Sequence, residues 1–310
     1  MDQAEKLRKM VSESEVKPSA RVITVTSGKG GVGKSSLSLN LAICLSRLGK
    51  QVVLLDADFG LANIEVMLGI RPAANLADLM FRGKNLSDII TDGPENVKFI
   101  SGGSGIQELA QMNKEQVLYL TKKLAELDRI ADVIIIDTGA GISDSVLEFV
   151  ASGNEVLLLA TPEPTSITDA YALLKALNRK SEFSKRDTTI KFVANRVKNE
   201  DEGLVLYENM KNVVGKFLNI SLDFVGSIPQ DDNISKAVMK QKPITISSPQ
   251  SPAAKAIAVL AEKLNNDGQA PTENEEKGIA LLFSNLIRTK FRKKKKEERD
   301  REKANASKGQ

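Results

Sequence analysis

The chain has 310 residues, 41% of them hydrophobic, enough for one substantial α/β domain with terminal extensions, whereas two full domains would be cramped. With no histidine and one cysteine, Cys44, it excludes imidazole-based nucleophilic catalysis, an imidazole zinc site and an intramolecular disulfide, and a reducing cytoplasm is expected. The net charge of +4 is mild, and much of the basic excess falls in the run Arg288 to Lys296, leaving the body near neutral.

Residues 1–20 are polar up to the first strand, with no apolar signal-peptide core, and no stretch approaches the length needed to cross a bilayer. Beyond them, short apolar runs near residues 21–26, 51–56, 97–101, 131–137, 154–160, 189–195 and 222–228 alternate with helix-like stretches, as in βαβ units. Runs such as Val133-Ile134-Ile135-Ile136 and Val156-Leu157-Leu158-Leu159 are apolar at every position, so helices should cover both faces of the sheet. The expected fold is a doubly wound, mainly parallel α/β sheet. It should occupy residues 21–266, with a polar linker over 267–277, an amphipathic helix over 278–296 and a charged tail over 297–310.

The first strand runs into Ser27-Gly28-Lys29-Gly30-Gly31-Val32-Gly33-Lys34-Ser35-Ser36, which fits G-x-x-x-x-G-K-S. The glycines let backbone amides turn inward around phosphates, the helix starting at Lys34 adds its positive end, Lys34 supplies a point charge and Ser35 a magnesium ligand. Gly28, Gly30 and Gly33 also satisfy G-x-G-x-x-G, with Asp56 near the place of a ribose-binding acid. A lysine and a serine directly after the third glycine have no task in that dinucleotide-binding alternative. Asp56, Asp58 and Asp137 all end apolar runs, and a doubly wound sheet delivers such ends to one edge. Asp56 and Asp137 suit magnesium, and Asp58 the orientation of attacking water; strand-end capping is the simpler role for all three.

Lys29 within Lys-Gly-Gly-Val-Gly-Lys-Ser, together with Asp56-Ala57-Asp58-Phe59-Gly60-Leu61-Ala62-Asn63, closely resembles the MinD/ParA family of deviant Walker A ATPases over residues 20–265. That resemblance implies a slow, magnesium-dependent ATP hydrolase that dimerises with ATP, Lys29 reaching the partner's phosphates and Asp58 positioning water. It also places adenine beside Asn195-Arg196 and the turn Ile228-Pro229-Gln230-Asp231, favouring ATP over GTP.

Toward the C-terminus, Ile279, Leu282, Phe283, Leu286 and Ile287 share one helical face, with Phe291 at its border and lysines behind, the pattern of an in-plane anchor on an anionic membrane. A helix packed on the core or on a partner would show the same stripe. The segment containing Asp2, Gln3, Leu7 and Arg8 is similar to the start of the flagellar-number regulators called FlhG, FleN or YlxH. That similarity implies activation of the signal-recognition-particle-type GTPase FlhF, contact with flagellar switch-complex (C-ring) proteins, and a place on the inner face of the cell membrane. Nucleic acid is not expected as a partner. A cell-division regulator of the MinD type and a ParA-type DNA segregation ATPase are the alternatives within the family.

Overall fold

The computed structural model of the chain describes residues 19–58, 63–103, 114–180, 183, 188–218, 220–267, 278–279 and 281–283. Eight strands form one sheet: β1 (Arg21–Thr26), β2 (Val52–Ala57), β3 (Ile90–Asp92), β4 (Lys98–Ser101), β5 (Val133–Thr138), β6 (Glu155–Ala160), β7 (Thr189–Val197) and β8 (Leu222–Pro229). Their order is β3-β4-β2-β5-β1-β6-β7-β8, parallel throughout except for the antiparallel pair β3–β4. The seven expected strands are present with ends shifted by at most two residues. The strand not expected, β3, is three residues long and directly follows a short helix, too brief to carry a period.

The all-apolar runs are explained by burial on both faces. Leu54 belongs to one core cluster with Ile23, Val25, Ile135 and Leu157, while its neighbours Val53 and Leu55 belong to another with Ile134 and Ile136. The first cluster is closed by helix α1 (Lys34–Arg47) and by the late helix Pro252–Asn266, which contribute Leu37, Leu41, Ile257 and Leu264. Successive side chains of a strand point to opposite faces, so a strand clad by helices on both sides is apolar along its middle, with polar residues mainly toward its end.

At the edge opposite the phosphate loop, polar contacts fasten the starts of the strands to neighbouring helices and to each other. Arg21 forks onto Glu155 at 2.7 and 2.6 Å and donates to the Leu264 carbonyl, while Lys191 joins Glu155 at 3.2 Å. The backbone N–H groups of Ala20 and Ile279 donate to one oxygen of Asp128, each at 3.3 Å. Burial pushes the Asp128 carboxyl up, against the lowering effect of those two N–H donors. Gly278 adopts φ +103°, and a Cβ there would stand 2.5 Å from the same carboxylate, so glycine alone allows this approach.

Here the structure corrects one expectation. Ile279, Leu282 and Phe283 are buried among Leu120, Leu124, Leu127 and Phe149, with the Phe283 ring set edge-on to Phe149 at 5.8 Å. Their apolar face is turned to protein and not to lipid, because a stripe of large apolar side chains fits a protein groove as readily as a bilayer. Leu286, Ile287 and Phe291 lie outside the described residues, as do Asp2, Gln3, Leu7 and Arg8 and nearly all of the expected linker. Among the described residues, no helix is long and apolar enough to cross a membrane.

Candidate nucleotide-binding site

Register builds the site. Asp56 of β2 pairs with Asp137 of β5, and Asp137 pairs with Val25 of β1, one residue before the strand ends at Thr26. The strand ends that carry the acids therefore stand beside the start of the phosphate loop. Gly31 and Gly33 take φ +74° and +99°, and Gly33 is the N-cap of α1. Gly28 lies so close to the backbone of Asp169 that no side chain fits, which seats the loop on the helix Pro164–Asn178.

Around the loop, Lys34 is buried and the Ser38 hydroxyl, one helical turn further on, donates to Asp137 at 3.0 Å. Asp56 accepts the N–H groups of Asp58 and Ile64 at 3.1 and 3.2 Å. Burial, then the charge of Asp137, pushes the Asp56 carboxyl up to about 7. Burial likewise pushes Asp137 up to about 6, against the lowering effect of the Ser35 and Ser38 hydroxyls and the Lys34 charge.

These groups fit a magnesium ion. Asp137 Oδ2 is buried with no hydrogen-bond partner, and two adjacent carboxyls resist ionisation, the condition a divalent cation relieves. Among the described residues no cluster of three or more Asp, Glu, Cys or His residues could hold a metal alone. A cation here would depend on the Ser35 hydroxyl and on nucleotide phosphate.

Asp58 accepts from Asn63 Nδ2 at 3.0 Å through Oδ2, while a Cβ on Gly139 would press to 3.4 Å from its Oδ1. Asp58 Oδ1 therefore lies beside Gly139, just past the end of β5. Lys29 Nζ bonds to Glu163 Oε2 at 2.7 Å and to Thr165 Oγ1 at 2.8 Å, and this ammonium holds the Glu163 carboxyl below the usual carboxylate range. Sequence reasoning did not single out Glu163, Thr165 or Ser38. The first two follow the end of β6, where the edge rule that found the aspartates also applied.

On the far side, Asn195 is buried at the end of β7 and Arg196 beside it is exposed with φ +58°. Ile228 pairs with Asn195 and Pro229 with Val197, so the two expected base-side segments are neighbours. Asp231 is occupied structurally, capping the helix Asp232–Met239 through Asn233 N–H at 2.9 Å and accepting from Ala253 N–H at 3.2 Å.

With this geometry in hand, comparison with known proteins is specific. Residues 23–244 match the CobQ/CobB/MinD/ParA nucleotide binding domain. The chain is 42% identical to the antiactivator FleN of Pseudomonas aeruginosa, over 79% of this chain and 86% of that protein. It is 30% identical to the flagellum site-determining protein YlxH of Helicobacter pylori, over 88% of this chain and 91% of that one. The solved septum site-determining protein MinD of Pyrococcus horikoshii, in complex with Mg-ADP, superimposes with a TM-score of 0.62 at 26% identity, covering 79% of this chain and 96% of that one. Loop, acids, sheet order and similarity agree: the chain belongs to the MinD/ParA family of nucleotide-binding ATPases, alongside its flagellar regulators.

Proposed function

We propose that the protein is an ATP-driven switch that dimerises with magnesium and ATP, binds the inner face of the cell membrane peripherally, and regulates flagellar number and placement. The observation that carries this is the placing of Lys29 on the rim of the phosphate loop, at the same sheet edge as the carboxylate of Asp58. Similarity to FleN and YlxH supports the flagellar setting.

In this reading the loop amides and Lys34 bind phosphate, Ser35, Asp56 and Asp137 would hold magnesium, and the Asp58 carboxylate orients water for in-line attack. Magnesium, when bound, neutralises charge on the phosphates. Lys29 leaves Glu163 and Thr165 to reach the phosphates of a second copy, so hydrolysis depends on dimerisation and is slow. Base-side contacts come from Asn195, Arg196, Pro229 and Asp231. The N-terminal segment with Asp2, Gln3, Leu7 and Arg8 activates the GTPase FlhF, and switch-complex proteins of the flagellum are the further partners.

Light scattering with ATP tests the switch. Asp58→Ala should bind ATP, fail to hydrolyse it and accumulate as dimer; a variant that stays monomeric at saturating nucleotide defeats the proposal. A peptide of residues 1–20 should accelerate GTP hydrolysis by FlhF, and an unchanged rate at high peptide concentration removes the flagellar arm.

A further inference from the structure

The carboxamide of Asn195 is held through both of its polar atoms. Its Nδ2 donates to the backbone carbonyl of Val32, inside the phosphate loop, at 2.7 Å, and its Oδ1 accepts from the N–H of Arg196 at 3.0 Å. A carbonyl can only accept and an N–H can only donate, so both contacts fix the same amide orientation. The side chain is 4% exposed, and a Cβ on Gly33 would fall 2.5 Å from its Nδ2. Sequence and fold thus leave room for this amide, and for nothing else, between β7 and the loop.

The contact bears on the phosphate end through peptide geometry. All peptide bonds of the described chain are trans, so the Val32 carbonyl and the Gly33 N–H lie in one rigid plane and point in opposite directions. Anchoring the carbonyl outward on Asn195 aims the Gly33 N–H inward, toward the space the loop encloses. Gly33 is also the left-handed N-cap of α1, so the held peptide leads directly into the helix. At the other end of the amide, Arg196 holds φ +58° where β7 slips register against β8, and the Oδ1 contact secures that turn.

We propose that Asn195 is a positioning residue for phosphate binding: by holding the Val32–Gly33 peptide it presets one donor of the loop, so that affinity for the phosphate chain depends on it even when no base is present. This rests on the nucleotide-site reading above and extends it, since it assigns the amide a task at the phosphate end in addition to any contact with adenine. One N–H and one lone pair remain to the amide after these two bonds, so a base can still be read by it.

Inorganic tripolyphosphate separates the two tasks, because it carries the phosphates and lacks the base. Binding of ATP and of tripolyphosphate, each with magnesium, is measured by calorimetry on the full chain and on Asn195→Ala. Losing one preset donor to a charged group should weaken both ligands by the same factor, about tenfold, measured at a temperature at which the ligand-free variant is folded. Asn195→Ser, which is too short to reach Val32 while remaining polar, should give the same equal loss if the alanine variant folds poorly. If either variant weakens ATP while tripolyphosphate stays within twofold of wild type, the amide serves only the base and the inference is overturned. A wild-type chain that binds neither ligand sinks the nucleotide-site reading itself, a result plainly different from unequal losses in the variant.

Discussion

Replacing Asp56 by asparagine should stabilise the magnesium-free protein at alkaline pH. The wild-type carboxyl sits at about 7 against an ordinary 3.8, and each pH unit of that difference corresponds to about 1.4 kcal/mol. Ionising it inside the fold therefore costs up to about 4 kcal/mol. The cost is coupled to Asp137, which carries part of the same repulsion, so about half of it is a fair expectation for removing one charge. Asparagine keeps an acceptor for only one of the two N–H groups, of Asp58 and Ile64, that Asp56 satisfies, an offset of about 1 kcal/mol. The net expectation is a gain of roughly 1 kcal/mol at pH 8. The sign follows from proton linkage. A carboxyl raised on folding keeps its full contribution below its unfolded value near 4 and loses it as pH rises through about 7. Urea unfolding in a chelator at pH 5 and pH 8 measures this. The wild type should lose stability between the two conditions, the variant should lose less, and the variant should no longer gain affinity for ADP when magnesium is added. If the two proteins show the same pH dependence, the buried-pair account of the metal site is wrong.

Two further outcomes follow from contacts at the rim and at the C-terminal segment. Phe283→Ala should destabilise the protein by about 3 kcal/mol in denaturant unfolding, because the ring is fully buried against Phe149; a loss below about 1 kcal/mol would mean that the segment leaves the body in solution and is free for lipid. Glu163→Ala should free Lys29 and lower the ATP concentration that half-dimerises the protein by roughly two- to fivefold, read by light scattering; an increase would show that Glu163 assists the dimer instead of holding the lysine back.

The sheet was legible because strands buried on both faces must be apolar at every position, and Val133 to Ile136 and Val156 to Leu159 obey that without exception. The acids were legible for a topological reason: parallel strands end on one edge, so a carboxylate at the close of an apolar run reaches the phosphate loop. Glu163 and Thr165 stand past the end of β6 as the N-cap and first turn of the helix Pro164–Asn178, and the edge rule that reaches them carries no sign that they face Lys29. Asn195 was found, but its hold on Val32 spans a separation of 163 residues that no spacing encodes. The C-terminal stripe failed in an instructive way. Period 3.6 shows that a helix face is covered and carries no information on whether the cover is lipid or protein, so Ile279, Leu282 and Phe283 were read correctly as a face and assigned to the wrong surroundings.

The single Asp128 oxygen that accepts from both Ala20 and Ile279 fixes where the two appendages depart. With each N–H 3.3 Å from that oxygen, the amide nitrogens lie within about two hydrogen-bond lengths of each other. A surface that binds the body beside Asp128 therefore stands next to the point where residues 1–18 join it. A partner of residues 1–18 that is itself held on that surface meets the segment at the effective concentration of a tethered ligand, and not at its concentration in bulk. A short segment with weak intrinsic affinity would then act chiefly where the body itself is held, without any change in the contact it makes.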